Sequence, residues 1–155
     1  MIMNNDGLVL TKLNRMHHPK GDILHALKSS DTSFLGFGEA YFTEIKKDQI
    51  KGWKKHSQMI TNLIVPIGTV KFHIWDDVNE KGCTASIGDE NYARLTIPNG
   101  NWVAFSGHSN YNLVLNIASI EHNPSEALNV DLKTFPLNGK LYVDLWRESE
   151  TSNKF

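Results

Sequence analysis

The chain has 155 residues, of which 40% are hydrophobic and 21% charged. This length allows one domain with a substantial core and is too short for two ordinary domains. Sixteen basic and 17 acidic residues leave a net charge of −1, so no strong field favours nucleic acid or an anionic membrane as a partner. We predict one domain over residues 1–147, followed by a polar tail over residues 148–155.

Cysteine content and hydropathy indicate the cellular compartment. Cys83 is the single cysteine, so no intramolecular disulfide can form. The N-terminal segment MIMNNDGLVL lacks the charged and apolar regions of a secretion signal. The longest apolar runs, such as LIVPIG, are far shorter than the roughly 20 residues of a membrane helix. We therefore expect a cytoplasmic protein without a membrane partner.

Segments rich in β-branched and aromatic residues recur at short intervals between Gly, Asn, Asp and Pro clusters, as is typical of all-β sandwiches and barrels. In chain order, the predicted strands are Leu8–Leu13, Asp22–Leu27, Gly38–Ile45, Asn62–Ile67, Val70–Trp75, Ala93–Ile97, Trp102–Ser106, Asn112–Ala118 and Lys140–Asp144. Turn sequences such as PIG at 66–68 and PNG at 98–100 separate them. We therefore predict an all-β fold with little helix.

Two segments between these strands have different patterns. Residues 43–56 are rich in lysine and poor in apolar side chains, which by charge alone indicates a solvated surface. Residues 125–128 follow Pro124, and their sequence, SEAL, is compatible with a short helical turn.

Polar side chains in the middle of predicted strands are candidates for a pocket. In Val70–Trp75 the side chains alternate between the two faces of the sheet, so Lys71, His73 and Trp75 share one face. His73 and Asn116 lie where a polar side chain inside a barrel either lines a pocket or needs a buried partner. We predict that both line a pocket.

Three sequence blocks resemble the cupins that act on dTDP-4-keto-6-deoxy sugars. The run KGWKKH at 51–56, followed by NLIVPIG at 62–68, resembles the ketoisomerase block of Arg-Gly-aromatic-His-x-His, apolar strand and turn glycine. The run KGDILH at 20–25 resembles the Arg-Gly-x-Phe-x-Glu segment of dTDP-4-dehydrorhamnose 3,5-epimerases, and IPNGNWVAF at 97–105 resembles their Ile-Pro-Pro-Gly segment. The resemblance implies a single cupin barrel, also called a double-stranded β-helix or jelly roll, around a small-molecule pocket.

The resemblance also implies catalytic positions, several of which are altered. Lys54 stands where the family has the histidine that removes a proton beside the 4-keto group, and His56 keeps the second histidine position. The family's acid-bearing, tyrosine-rich segment is replaced by IEHNP at 120–124, which leaves His122 or Glu121 as the acid. The chain also ends before the region that carries the epimerases' histidine-orienting aspartate.

A nucleotide diphosphate requires cations or backbone donors. The candidates are Lys20 and Lys51, both at positions of family arginines, and Lys71. Lysine binds phosphate as a point charge and lacks the bidentate geometry of arginine. Ligand choice can therefore differ from that of the family.

Aromatic and acidic side chains complete the predicted substrate site. Tyr41, Trp53 and Trp102 could stack on a base or a sugar ring, although in a small barrel such side chains are more often core. Glu39 falls where the family has polar substrate contacts, so it could orient His56 or bind sugar hydroxyls. The alternative is that Glu39 is an ordinary surface residue of its strand.

A metal-binding cupin needs a His-x-His pair, a glutamate and a further histidine around the ion. Those positions hold Lys54, His56, Ile60 and Val103, so one ligand of four remains. We therefore expect neither a metal nor another cofactor.

These observations predict a metal-independent sugar-nucleotide epimerase or ketoisomerase that acts beside the keto group of a nucleotide-linked 4-keto-6-deoxy sugar, in surface polysaccharide biosynthesis. One alternative is a catalytically inactive sugar-binding cupin, in which the polar residues do not converge. Another is a lyase or isomerase of simple sugars, with no cations around the pocket. Related barrels pair through edge strands, so we expect a homodimer.

Overall fold

The structure is a computed structural model that describes residues 7–147 and the short strand Ile2–Met3. The predicted polar tail, residues 148–155, lies outside the described residues. Two short 3₁₀ helices occur near the C-terminal end, at Pro124–Glu126 and Leu132–Thr134. Among the described residues, no helix has the length and hydropathy that crossing a bilayer requires.

Strands make up most of the regular structure. They are β1 (Ile2–Met3), β2 (Val9–Lys12), β3 (Arg15–Met16), β4 (Ile23–Leu24), β5 (Glu39–Glu44), β6 (Ile50–His56), β7 (Thr61–Ile67), β8 (Thr69–Asp76), β9 (Lys81–Gly88), β10 (Ala93–Ile97), β11 (Trp102–Gly107), β12 (Leu113–Ala118), β13 (Ala127–Asn129) and β14 (Tyr142–Asp144). The strands predicted from sequence all occur, although the second is reduced to Ile23–Leu24.

Two sheets of six strands form the body of the fold. The first has the order β1-β2-β10-β7-β12-β5, and the second has the order β13-β6-β11-β8-β9-β14. Neighbouring strands are antiparallel apart from the parallel pair β9 and β14. β3 and β4 form a separate hairpin. The all-β prediction is confirmed, and the two sheets enclose one core between them.

The main core consists of inward-facing side chains from both sheets. It includes Leu10, Leu63, Val65, Val70, Phe72, Ile74, Ala85, Ile87, Leu95 and Val114. In β8 the predicted alternation is confirmed, because Phe72 and Ile74 are buried in this core. Each such aliphatic or aromatic side chain contributes roughly 1.5–3 kcal/mol when it is fully buried.

A second apolar cluster covers the outer face of the second sheet. Trp53, Trp75 and Trp102 form its centre, and the segment 130–142 packs over them. The Trp53 and Phe135 rings meet edge to face with centroids 5.8 Å apart. The Trp53 indole N–H also donates to the Leu132 carbonyl at 3.1 Å. The C-terminal segment therefore turns an outer sheet face into a second core.

Several elements differ from the sequence prediction. The lysine-rich segment contains β6, so its interpretation as a solvated surface is wrong for that part. β9 was not predicted, because its first residues resemble a turn. The predicted helical turn is the 3₁₀ helix Pro124–Glu126, and it ends earlier because β13 begins at Ala127.

Candidate functional site

A cavity of about 400 Å³ is lined by residues of both sheets, including β5 and β12 of the first sheet and β6 of the second. Its walls include Tyr41, Thr43, Lys54, His56, Thr61, Leu63, Phe72, Val103, Phe105, Val114, Asn116 and Asn129. A volume in this range is typical of small-molecule sites. Most of the wall is apolar, with a few polar groups that converge on the same space.

The alternation of β6 brings Lys54 and His56 to the cavity. Side chains of a strand point alternately to opposite faces. Trp53 therefore points to the outer cluster, whereas Lys54 and His56, one and three positions later, point to the cavity. Gly52 permits this arrangement: a Cβ there would lie 2.6 Å from the Ala104 Cβ and 2.7 Å from its Cα. Gly52 also has φ of +139°, which favours glycine. It therefore allows β6 to pack closely on β11.

His56 is held by a buried carboxylate. Its Nδ1 makes a hydrogen bond to Oε1 of Glu126, whose side chain is 2% exposed. The other carboxylate oxygen, Oε2, accepts from the backbone N–H groups of Gln58 at 3.1 Å and Met59 at 3.3 Å. Nε2 of His56 has no hydrogen-bond partner in the part of the chain that the structure describes. The carboxylate thus orients the ring and leaves one nitrogen for the cavity.

Burial alone would raise the pKa of the Glu126 carboxyl. The hydrogen bonds from His56 and from the two backbone N–H groups outweigh this effect and hold its pKa below the ordinary value. Glu126 therefore remains ionised at neutral pH and can stabilise an imidazolium at His56.

Glu126 was not predicted as a functional residue, and the carboxylate that the sequence offered to orient His56 was Glu39, which lies outside the cavity wall. The turn that holds Glu126 has a recognisable signal, since the Asn123 side chain accepts from the Ser125 N–H at 3.1 Å. That signal predicts the turn, but not its position beside His56.

A second polar pair lies in the wall formed by the first sheet. The side-chain amide of Asn116 donates from Nδ2 to the hydroxyl of Tyr41 at 2.9 Å. Asn116 is 5% exposed, whereas Tyr41 is 40% exposed and reaches the cavity opening. Both residues line the cavity, which is the position predicted for Asn116.

Two lysines contribute positive charge to the site. Lys54 is half-buried in the cavity wall, and its ammonium forms no hydrogen bond or ion pair with any residue that the structure describes. Lys51 is exposed at the rim, and its ammonium donates to the Glu44 carbonyl at 2.7 Å. Both therefore stand near the space where an anionic or electron-rich ligand oxygen would lie.

Trp53 borders the cavity, whereas Trp102 is not part of its wall, and neither ring is exposed for a ligand to stack on it. Trp53 is fully buried in the outer cluster, and the Trp102 indole N–H donates to Asp77 Oδ2 at 3.1 Å within the same outer face. Their rings are core, the alternative that the sequence had left open. Outward positions in β6 and β11 explain their location.

His73 and Lys71 also point away from the cavity, on the outer face of β8. The prediction that His73 lines the pocket is therefore corrected. Its Nδ1 lies 2.8 Å from the Leu137 carbonyl under the C-terminal segment. Burial lowers the pKa of His73 to about 4, so the ring is neutral at physiological pH.

Four further predicted residues lie outside the cavity wall. Lys20 is exposed in the turn between β3 and β4, and Glu39 is half-buried at the start of β5. Glu121 and His122 are exposed in the loop after β12. The expectation that one of this last pair faces His56 across the pocket is therefore not met, because the loop directs both to solvent.

Within the residues described, no group of three or more His, Cys, Asp or Glu side chains is arranged to hold a metal ion. In the cavity itself, the family's first histidine position holds the cationic Lys54, which is a poor ligand for a metal.

Comparison with known proteins gives a consistent picture. No protein-family model and no curated sequence matches the chain. A dTDP sugar isomerase from Desulfovibrio desulfuricans G20 has a similar structure, with a TM-score of 0.81 and 28% sequence identity over 88% of this chain and 94% of that one.

Two further solved structures share the fold at lower identity. One is a mutant sugar 3,4-ketoisomerase from Thermoanaerobacterium thermosaccharolyticum in complex with TDP-4-keto-6-deoxyglucose, with a TM-score of 0.69 and 18% identity over 81% of this chain and 88% of that one. The other is a 3,5-epimerase from Legionella pneumophila in complex with dTDP-4-keto-L-rhamnose, with a TM-score of 0.74 and 16% identity over 93% and 87%. The chain therefore has the cupin-like jelly-roll fold, and the solved structures similar to it are dTDP-sugar isomerases, ketoisomerases and 3,5-epimerases.

Proposed function

We propose that the chain is a metal-independent epimerase or ketoisomerase that transfers a proton beside the keto group of a nucleotide-linked 4-keto-6-deoxy sugar. The observation that carries the proposal is the pair of His56 and buried Glu126 at a sugar-sized cavity. Similarity to the Desulfovibrio isomerase supports the same class of substrate.

His56 is the base in this proposal. Glu126 accepts the Nδ1–H hydrogen bond, which selects the tautomer with a lone pair on Nε2. When Nε2 takes the proton from the carbon beside the ketone, the ionised carboxylate stabilises the resulting imidazolium. The electron pair of the broken C–H bond forms the C=C bond of an enolate, and the carbonyl π pair moves onto the carbonyl oxygen.

Lys54 is proposed to stabilise that enolate. Its ammonium faces the cavity without a protein partner in the described part of the chain, so a ligand oxygen can receive its hydrogen bond. A preorganised cation at the developing negative charge lowers the barrier without reorganisation of solvent. This role differs from the base role that the family's histidine has at the same position.

The nucleotide diphosphate is proposed to lie at the rim, near Lys51. Lysine can provide a point charge there, and the segment resembles the family's arginine-containing block. A homodimer in the cytoplasm and a role in surface polysaccharide biosynthesis complete the proposal. Dimerisation would cover exposed apolar side chains such as Phe42, 64% exposed on the edge strand β5.

A sugar-binding protein without catalytic activity is the second candidate. It is favoured by Lys54 at the position of the family's base and by the exposed loop that holds Glu121 and His122. Such a protein would bind the nucleotide sugar without exchanging its protons.

The test is incubation with dTDP-4-keto-6-deoxyglucose in deuterium oxide, with NMR detection of deuterium at the sugar carbons. We expect the wild type to exchange a proton beside the ketone and His56→Asn to lose at least about 100-fold in rate. His122→Asn, the same substitution outside the cavity, should retain the wild-type rate. Binding without exchange by the wild type would overturn the enzyme proposal and favour the second candidate.

A further inference from the structure

Asn116 is an unusual residue for its position. It lies in the middle of β12, on the face that lines the cavity, and only 5% of it is exposed. Its inward neighbour along the strand, Val114, is apolar and also lines the cavity. A buried side-chain amide is stable only when its oxygen and nitrogen have partners.

The Asn116 amide is satisfied at one end. Nδ2 donates to the Tyr41 hydroxyl at 2.9 Å. Oδ1 is buried and has no hydrogen-bond partner among the residues that the structure describes. Because the side chain lines the cavity, a ligand in the cavity can supply the missing donor.

Tyr41 complements this free acceptor. Its hydroxyl oxygen already accepts a hydrogen bond from Asn116, so its own proton is available to another acceptor. The pair thus presents an acceptor, Oδ1, and a donor, the phenolic O–H, to the same part of the cavity. A single hydroxyl group can satisfy both, because it donates one hydrogen bond and accepts another.

We propose that Asn116 and Tyr41 form a subsite for a hydroxyl group of the ligand sugar, and that Asn116 determines specificity for sugars that carry this hydroxyl. The inference rests on the proposed function for the class of ligand. It adds a requirement for the substituent, since a sugar without the hydroxyl leaves Oδ1 unpaired. Sites that bind a substrate hydroxyl discriminate strongly against analogues that lack it.

Binding can be measured by calorimetry with dTDP-glucose, its single-deoxy analogues at C2, C3 and C4, and dTDP alone. We expect one analogue to bind the wild type at least about 10-fold more weakly than dTDP-glucose. In Asn116→Leu, which preserves size but removes the acceptor, dTDP-glucose should lose a similar factor and bind like that analogue. Asn116→Asp retains an acceptor and should retain the discrimination.

Binding of dTDP alone controls for folding, because it lacks the sugar and should be unchanged in all three proteins. Equal binding of dTDP-glucose and every analogue to the wild type would overturn the inference, since water would then satisfy Oδ1. An equal loss for all ligands in Asn116→Leu, dTDP included, would indicate a purely structural role and also overturn it.

The two proposals fail in distinguishable ways. Discrimination between analogues without deuterium exchange would contradict the proposed reaction and leave the hydroxyl subsite intact. Deuterium exchange without discrimination would contradict the subsite alone. Failure of the wild type to bind any dTDP-sugar would overturn both.

Discussion

Two histidines in the same sheet show how the environment separates a candidate catalytic group from a structural one. His56 in β6 and His73 in β8 both make a hydrogen bond through Nδ1. The partner of His56 is the carboxylate of Glu126, whereas the partner of His73 is the Leu137 carbonyl. A buried carboxylate can stabilise an imidazolium, but burial around His73 disfavours its charged form. The charge of the partner and the face of the sheet therefore decide what each ring can do.

The largest expected effect is the difference between the two histidine-to-asparagine variants. We expect His56→Asn to reduce deuterium exchange at least about 100-fold, since it removes the base. His73→Asn should leave the exchange rate within about threefold, because its ring lies on the outer face. NMR rate measurements on both variants test the comparison. Loss of exchange in His73→Asn, with its fold intact by circular dichroism, would contradict the distinction between the two histidines.

The role of the carboxylate can be tested next. We expect Glu126→Gln to reduce the exchange rate roughly 10- to 100-fold, because the amide cannot stabilise an imidazolium as the carboxylate does. Binding of dTDP should change little, since Glu126 is buried behind His56. Exchange kinetics and calorimetry on the same variant separate the two effects. An unchanged exchange rate would mean that Glu126 only supports the fold.

The neutral state of His73 predicts a dependence of stability on pH. Its folded-state pKa of about 4 lies below the ordinary value of 6.5, so the unfolded chain binds the proton first as pH falls. The free energy of unfolding should therefore be unaffected by His73 above about pH 6.5, and should fall by up to about 3 kcal/mol between pH 6.5 and 4. Urea unfolding across this range measures it. His73→Asn should have a flatter profile, and an equally steep one would assign the loss to other groups.

The smallest expected effect concerns Lys71. The positive charge of Lys71 adds to burial in lowering the pKa of His73. We expect Lys71→Ala to raise the pKa of His73 by less than one pH unit, because desolvation is the larger cause. NMR titration of the His73 ring protons measures the change. A larger rise would show that charge, and not burial, keeps this histidine neutral.

The positions of most strands along the chain and the fold class were accessible from sequence because strands and turns have local signals. The alternation in β8 correctly separated Phe72 and Ile74 from His73, but it did not reveal which face is the interior. Both faces carry large apolar groups, because the segment 130–142 covers the outer one. The sequence placed His73 in the pocket for this reason.

Charge content was a poor guide to β6. Its lysines suggested a solvated segment, yet the strand lies between β11 and β13, with Trp53 fully buried. The family resemblance supplied what the charge pattern lacked, and it drew attention to His56 and Lys54 together. Local composition failed here because long lysine side chains can extend from a partly buried backbone.

The amino-acid sequence by itself determined the alternation of strands and turns and the all-β class, since these depend on neighbouring residues, and His56 was predicted from the resemblance of the KGWKKH block. The tertiary structure decided that Glu126 meets His56, although 70 positions separate them. It also decided that Asn116 meets Tyr41 across 75 positions, while Glu121 and His122 remain in solvent. Such contacts depend on sheet order and on the path of the C-terminal segment, and no local pattern encodes either.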